Sequence, residues 1–148
     1  MKTVLSALVI TFAVAIILLL LPQGYVALIR YRLDHSNHVQ SLNACRELIA
    51  KRMEFRTDQN RLPPVETTDK VLSRPFPKGF PKSISDLHPK EVIIREDSVI
   101  VLFNVPLSRA ALVGFKVGSR QYGTYRYIDG LWFFNGNILS DVARNTEK

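Results

Sequence analysis

From Thr3 to Leu21 the chain carries no charge, and most residues in that run are Val, Leu, Ile, Ala or Phe. Nothing else in the sequence limits the fold as tightly. As a helix rising 1.5 Å per residue the run spans ~28 Å, close to the ~30 Å hydrocarbon core of a bilayer. Backbone amides cross lipid only inside a helix or a closed barrel, so the segment reads as a membrane-spanning helix. Ala13-Val14-Ala15 has the small-x-small form of a signal-peptidase site. A cut there leaves Ile16 to Leu21 as a bare apolar N-terminus, so residues 1–22 are expected to stay attached as an anchor.

Pro22 and Gly24 are expected to end or kink this helix. Tyr25 to Leu33 then resumes an apolar pattern. Its Tyr25, Arg30, Tyr31 and Arg32 suit the headgroup zone, so residues 23–35 read as a juxtamembrane segment. Lys2 on one side and Arg30 and Arg32 on the other leave the positive-inside count nearly balanced. The short tail ahead of a signal-like apolar run favours a cytoplasmic N-terminus. The expected location is therefore the inner membrane, single-pass, with the C-terminal domain in the periplasm.

Residues 36–140 are expected to form one α+β domain, followed by a polar tail over 141–148. Asp34 or Ser36 is a candidate cap for a helix from about Ser36 to Arg56. Val39, Leu42, Cys45, Ile49 and Met53 recur there at helical spacing. This helix is expected to end near Asp58-Gln59-Asn60, and continuity with the membrane helix is an open alternative. Pro63, Pro64, Pro75, Pro77, Pro81 and Pro89 make residues 57–90 rich in loop, since proline removes amide donors and fixes φ. Within that stretch Ser83 to Leu87 predicts one short helix, with Ser83 as N-cap and Ile84 and Leu87 facing the core.

From Glu91 the pattern turns to β. Val92-Ile93-Ile94 and Val99 to Phe103 flank a turn at Glu96-Asp97-Ser98. Leu112 to Val117 predicts a third strand with Val113, Phe115 and Val117 on one face. Tyr125 to Ile128, Asp129-Gly130, and Leu131 to Phe134 predict a hairpin with a two-residue type I′ turn. The expected fold class is α+β, a transmembrane helix and an amphipathic helix packed on a four- to five-stranded antiparallel sheet.

This order of elements resembles the type IV pilin and type II secretion pseudopilin class. Phe55-Arg56-Thr57-Asp58-Gln59-Asn60-Arg61-Leu62-Pro63 is similar to the aromatic-Arg-…-Asn-Gly-…-Tyr-Pro segment that closes their long helix. Pro81-Lys82-Ser83-Ile84-Ser85-Asp86-Leu87-His88-Pro89 is similar to the Pro-x-Ser-Leu-x-x-Leu-x-Pro segment that often follows. The class also has a basic leader ending in glycine and a glutamate five residues into the mature helix. In this sequence the first glutamate is Glu47. The resemblance implies a pilin-like shape and a place in an envelope or secretion assembly.

Candidate chemistry is sparse. His35, His38 and Cys45 lie within reach of one another on a helix and form a conceivable ligand set. Polar caps at the membrane boundary and a core cysteine explain them better. His88 in Leu-His-Pro is expected to be solvated, and the Glu96-Asp97 pair sits in a turn. No phosphate loop, dinucleotide fingerprint, metalloprotease helix or nucleophile elbow is present. Catalytic, cofactor and metal residues are accordingly expected to be none, as are small-molecule substrates and enzymatic activity. One cysteine also excludes an internal disulfide.

The net charge is +7, and Lys2 is the only charge before Arg30, so nearly all of it lies beyond the apolar run. Arg109, Lys116, Arg120 and Arg126 fall in a stretch without acids. Solubility and attraction to anionic lipid headgroups, worth about 1 kcal/mol per basic residue at the surface, account for this. The alternative is a membrane-tethered nucleic-acid-binding module with Tyr122, Tyr125 and Tyr127 as stacking platforms. The leading expectation is a non-enzymatic membrane protein whose small domain contacts a protein partner or assembles with itself.

Overall fold

The computed structural model describes residues 2–55, 69–106, 108–117 and 125–136. The expected helix end at 58–60, most of the first pilin-like segment, Tyr122 and the tail at 141–148 lie outside the described residues.

The apolar run forms α1, Lys2–Asp34. Pro22 lies inside it and does not end it, so the juncture expected at Pro22 and Gly24 is helical. The chain breaks at His35-Ser36-Asn37, and α2 follows as His38–Ala50, so the two helices are not one continuous rod. The N-cap of α2 is Asn37, not Asp34 or Ser36: its side-chain oxygen accepts the Gln40 amide at 3.0 Å. A 3₁₀ turn at Arg52–Glu54 ends this region. The short helix expected after the proline-rich loop is α3, Lys82–Ser85. Pro81 takes the N-cap position with no side-chain bond, and Ser83 sits inside the turn. Ile84 and Leu87 are buried, as their spacing requires.

The sheet has six antiparallel strands, one or two more than expected: β1 (Lys70–Ser73), β2 (Glu91–Ile94), β3 (Ser98–Val105), β4 (Ser108–Phe115), β5 (Tyr125–Ile128) and β6 (Leu131–Asn135), in the order β1-β2-β3-β4-β6-β5. The unexpected strand is β1, an edge strand paired to β2 from Lys70↔Ile94 to Ser73↔Glu91. It is too short to show alternation, and proline-rich sequence follows it. The β2–β3 turn falls where expected, with Ile94 opposite Val99. β4 ends at Phe115, and Val117 lies beyond it, 82% exposed rather than sharing the Val113 and Phe115 face. The Lys116 amide donates to the Asp97 carbonyl at 2.8 Å, one pair beyond the Ser98–Phe115 pair in the same register. The β5–β6 turn is not type I′, which needs positive φ at both central residues. Gly130 has φ +86°, but His88 is the only non-glycine with positive φ among the described residues. A register shift between Arg126 and Ile128 accompanies this turn, as in hairpins whose loop closes on a left-handed glycine.

Strand side chains alternate between two apolar clusters. Val92, Ile94, Val99, Val101, Phe103, Leu112, Leu131 and Phe133 face the helices. Leu42, Cys45, Leu48 and Ile49 of α2 meet them, joined by Ile29 and Leu33 from the last turns of α1. Ile100, Ala111, Val113, Phe115, Trp132 and Phe134 form a second cluster, to which the described residues contribute from strands alone. Helix α2 lies very close to β4 at Gly114. A Cβ built there would sit 2.6 Å from Cys45 Cβ and 2.7 Å from its Sγ. Only glycine fits at that contact.

Candidate functional site

Two surfaces stand apart from the packed domain. The first is α1 itself. Val9, Ile10, Phe12, Val14, Ile16, Ile17, Leu20, Leu21 and Leu28 are all exposed. From Val9 to Asp34 the helix is long and apolar enough to cross a membrane. A contiguous apolar surface of this extent is foreign to a water-facing helix and needs lipid or protein against it. From Val26 on, one side of the same helix turns inward: Val26 packs against the core, Ile29 is 9% and Leu33 1% exposed. The segment expected to rest among headgroups is thus partly domain core.

The second surface is the corner between α1 and α2. A helix ends with carbonyls that lack intrahelical donors. Here side chains from the break supply them. The Leu33 carbonyl accepts the Ser36 amide at 3.0 Å, Ser36 Oγ at 2.7 Å and His38 Nε2 at 2.8 Å. The Tyr31 carbonyl accepts the His35 amide at 3.2 Å and His35 Nδ1 at 2.7 Å. A carbonyl only accepts, so His35 carries its proton on Nδ1 and His38 on Nε2. These are the cap roles that the sequence favoured for both histidines. His38 also stacks on Tyr127 at 4.5 Å between centroids, Tyr125 meets Tyr127 edge-on at 5.0 Å, and Arg30 lies 5.0 Å over the Tyr125 ring. Together these contacts tie edge strand β5 to both helices. Burial pushes the Tyr127 phenol above its usual range, and the neighbouring Asp34 carboxylate adds to the effect.

Beside the corner lies a cleft of about 560 Å³. Tyr31, Arg32 and His35 come from α1 and its end, Asn37 and Gln40 from the start of α2, and Ser83, Asp86 and His88 from the α3 segment. His88, expected to be solvated, is exposed and shares this cleft with His35. Its backbone is left-handed, φ +60°, and its Nδ1 donates to the Asp86 carbonyl at 2.7 Å. Asp86 pairs with Lys82 at 2.7 Å. Nothing in the spacing of residues 32, 35 and 88 foretells this meeting, because tertiary packing of α3 on α2 creates it.

The conceivable set of His35, His38 and Cys45 is not brought together. His35 lines the cleft, His38 stacks on Tyr127, and Cys45 is fully buried against Gly114. Among the described residues no three His, Cys, Asp or Glu side chains converge as metal ligands would. Burial pushes the Cys45 thiol up to about 12, which suppresses the thiolate that a nucleophile needs. In the turn before β3, Asp97 Oδ1 accepts Ser98 Oγ at 2.9 Å. The chain matches no known family model, no curated protein and no solved structure.

Proposed function

We propose that this chain is a non-enzymatic, single-pass membrane protein whose α+β domain makes protein–protein contacts at the membrane surface. The observation that carries the reading is the double character of α1. Val9, Ile10, Phe12, Val14, Ile16, Ile17, Leu20, Leu21 and Leu28 stand exposed, and its last turns enter the domain core through Ile29 and Leu33. Cleavage after Ala15 would leave Ile16, Ile17, Leu20 and Leu21 exposed on a helix the domain needs for packing. Retention as an anchor removes that conflict. The buried Cys45 thiol and the side-chain-capped histidines favour a binding role over catalysis.

The domain is pilin-like in this reading. An apolar N-terminal helix, an amphipathic second helix and an antiparallel sheet occur in the order of the pilin and pseudopilin class, with a break at residues 35–37 where that class continues its helix. The proposed orientation is N-terminus cytoplasmic and domain periplasmic, in an envelope or secretion assembly. Carbonate extraction of membranes holding the full chain tests the anchor: the protein should remain in the pellet at its full length. Loss of the apolar segment, with release of the rest, would refute it. Alkaline phosphatase fused after Lys148 should be active if the domain is exported. A photoreactive side chain at Met53, 79% exposed on the domain, should capture a partner or a second copy in intact membranes. Monomer alone under all conditions counts against the contact role.

A further inference from the structure

The cleft beside the α1–α2 corner holds polar groups that the cap structure leaves unused. Arg32 forms none of the ion pairs found among the described residues. His35 and His88 each commit Nδ1–H to a backbone carbonyl and both rings line the cleft, so each Nε2 accepts in the neutral ring and donates to an anion only in the imidazolium form. Asn37 uses its side-chain oxygen as the cap of α2, which leaves its NH₂ group to donate. The one carboxylate in the lining, Asp86, is already met by Lys82. A metal cation would face Arg32 and find no third acidic or imidazole ligand converging. The Arg32 guanidinium, the Asn37 NH₂ and the Nε2–H that each imidazolium would present suit an anion with several oxygens instead, and a guanidinium is the side chain best matched to a phosphate.

Position narrows the source. Leu28 is the last exposed aliphatic residue of α1, and Arg32 lies one helical turn further on, about 6 Å along the axis. With Leu28 at the edge of the hydrocarbon, Arg32 falls in the headgroup layer, which is roughly 5–7 Å thick on each side, whereas with Leu21 at the edge it stands about 16 Å beyond. The cleft volume falls within the range of small-molecule sites and exceeds a bare phosphate, leaving room for a substituent on it.

We propose that this cleft binds a phosphate group, carried by an anionic lipid headgroup or by a soluble phosphate, with Arg32, His35 and His88 as its principal contacts. The phosphate chemistry stands on the cleft alone, whereas the lipid source rests on the membrane-anchored reading above. The test uses the full chain in maltoside micelles, whose headgroups contain no phosphate. Inorganic phosphate and a short-chain phosphatidylglycerol are titrated separately while the histidine ring resonances are followed by NMR. Saturable shifts of His35 and His88, with His38 unmoved in its stack on Tyr127, are expected. Arg32→Gln should weaken the response at least tenfold, with the Trp132 indole signal unchanged as the check on folding. Saturation by phosphatidylglycerol at much lower concentration than by inorganic phosphate supports the lipid source. Equal responses support the site and assign it to soluble phosphate. No saturable shift with either probe, or an Arg32→Gln response equal to the parent's, overturns the proposal.

Discussion

Replacing Gly114 by alanine tests the closest contact in the domain. The added methyl would lie 2.6 Å from Cys45 Cβ and 2.7 Å from Cys45 Sγ. Comfortable carbon contacts are ~3.5–4.0 Å, so α2 and β4 must separate by about 1 Å at this point. Neither side yields easily. Cys45 Cβ is fixed by the helix backbone, and Gly114 lies within a ladder paired to Val99 on one side and Leu131 on the other. Moving α2 also lifts Leu42, Leu48 and Ile49 from the same core. Overpacking of this kind costs about 1–3 kcal/mol. At about 2 kcal/mol the melting temperature of a domain near 100 residues falls by roughly 8–16 °C. Thermal unfolding of the full chain in maltoside micelles reads this through Trp132, the only tryptophan, which is 8% exposed. Gly24→Ala is the control, because a Cβ there meets nothing within 4 Å. Pairing Gly114→Ala with Cys45→Gly removes both clashing atoms and should recover part of the loss, short of about 1 kcal/mol for a helix glycine. A Gly114→Ala variant that melts with the parent would refute the reasoning.

Further expectations follow from burial and capping. The Cys45 thiol is raised by burial from 9.0 to about 12. Below pH 9 both folded and unfolded chains hold the proton, so the thiol's contribution is complete there. Above it the unfolded chain releases the proton first, and stability should fall by about 1.4 kcal/mol per pH unit. Subtracting the Cys45→Ala profile from the parent's, in urea titrations across pH 8–11, isolates this slope. Leu33→Ala should destabilise the domain by about 2–5 kcal/mol although Leu33 belongs to α1, because the residue is 1% exposed. Leu28→Ala, at a position 48% exposed, should leave the same unfolding curve in place. Asn37→Ala removes the cap of α2 and should cost about 1 kcal/mol in that assay.

Elements with strong local patterns were legible before the structure. The unbroken apolar run dictates α1, the Leu42, Cys45 and Ile49 spacing dictates α2 although Val39 and Met53 of the expected face are exposed, and the apolar runs on either side of Asp97 dictate the β2–β3 hairpin. Locally ambiguous elements were not. Lys70–Ser73 becomes a strand only because β2 offers an edge, and Asp129-Gly130 closes on one left-handed residue where the dipeptide favours two. Tyr25 to Leu33 reads equally well as a membrane-interface pattern or a packing stripe, and only the tertiary structure shows that Ile29 and Leu33 are core. The cleft was the least legible part, since its two histidines are brought together by packing between α2 and α3 and share no periodicity. Hydrogen bonding decided the fate of His35 and His38, as α1 has terminal carbonyls to satisfy and these rings lie within reach.

The Leu33 carbonyl, held by three donors at the corner, has a mechanical consequence. Ile29 and Leu33 pack beneath the sheet, so the last turns of α1 and the head share one core, unlike a buoy on a rope. For the anchor proposed above, that shared core would pass a lean of the stalk on to the sheet. In a bilayer the lipid would therefore set which face of the head a neighbour meets, and a thinner or thicker bilayer would turn that face.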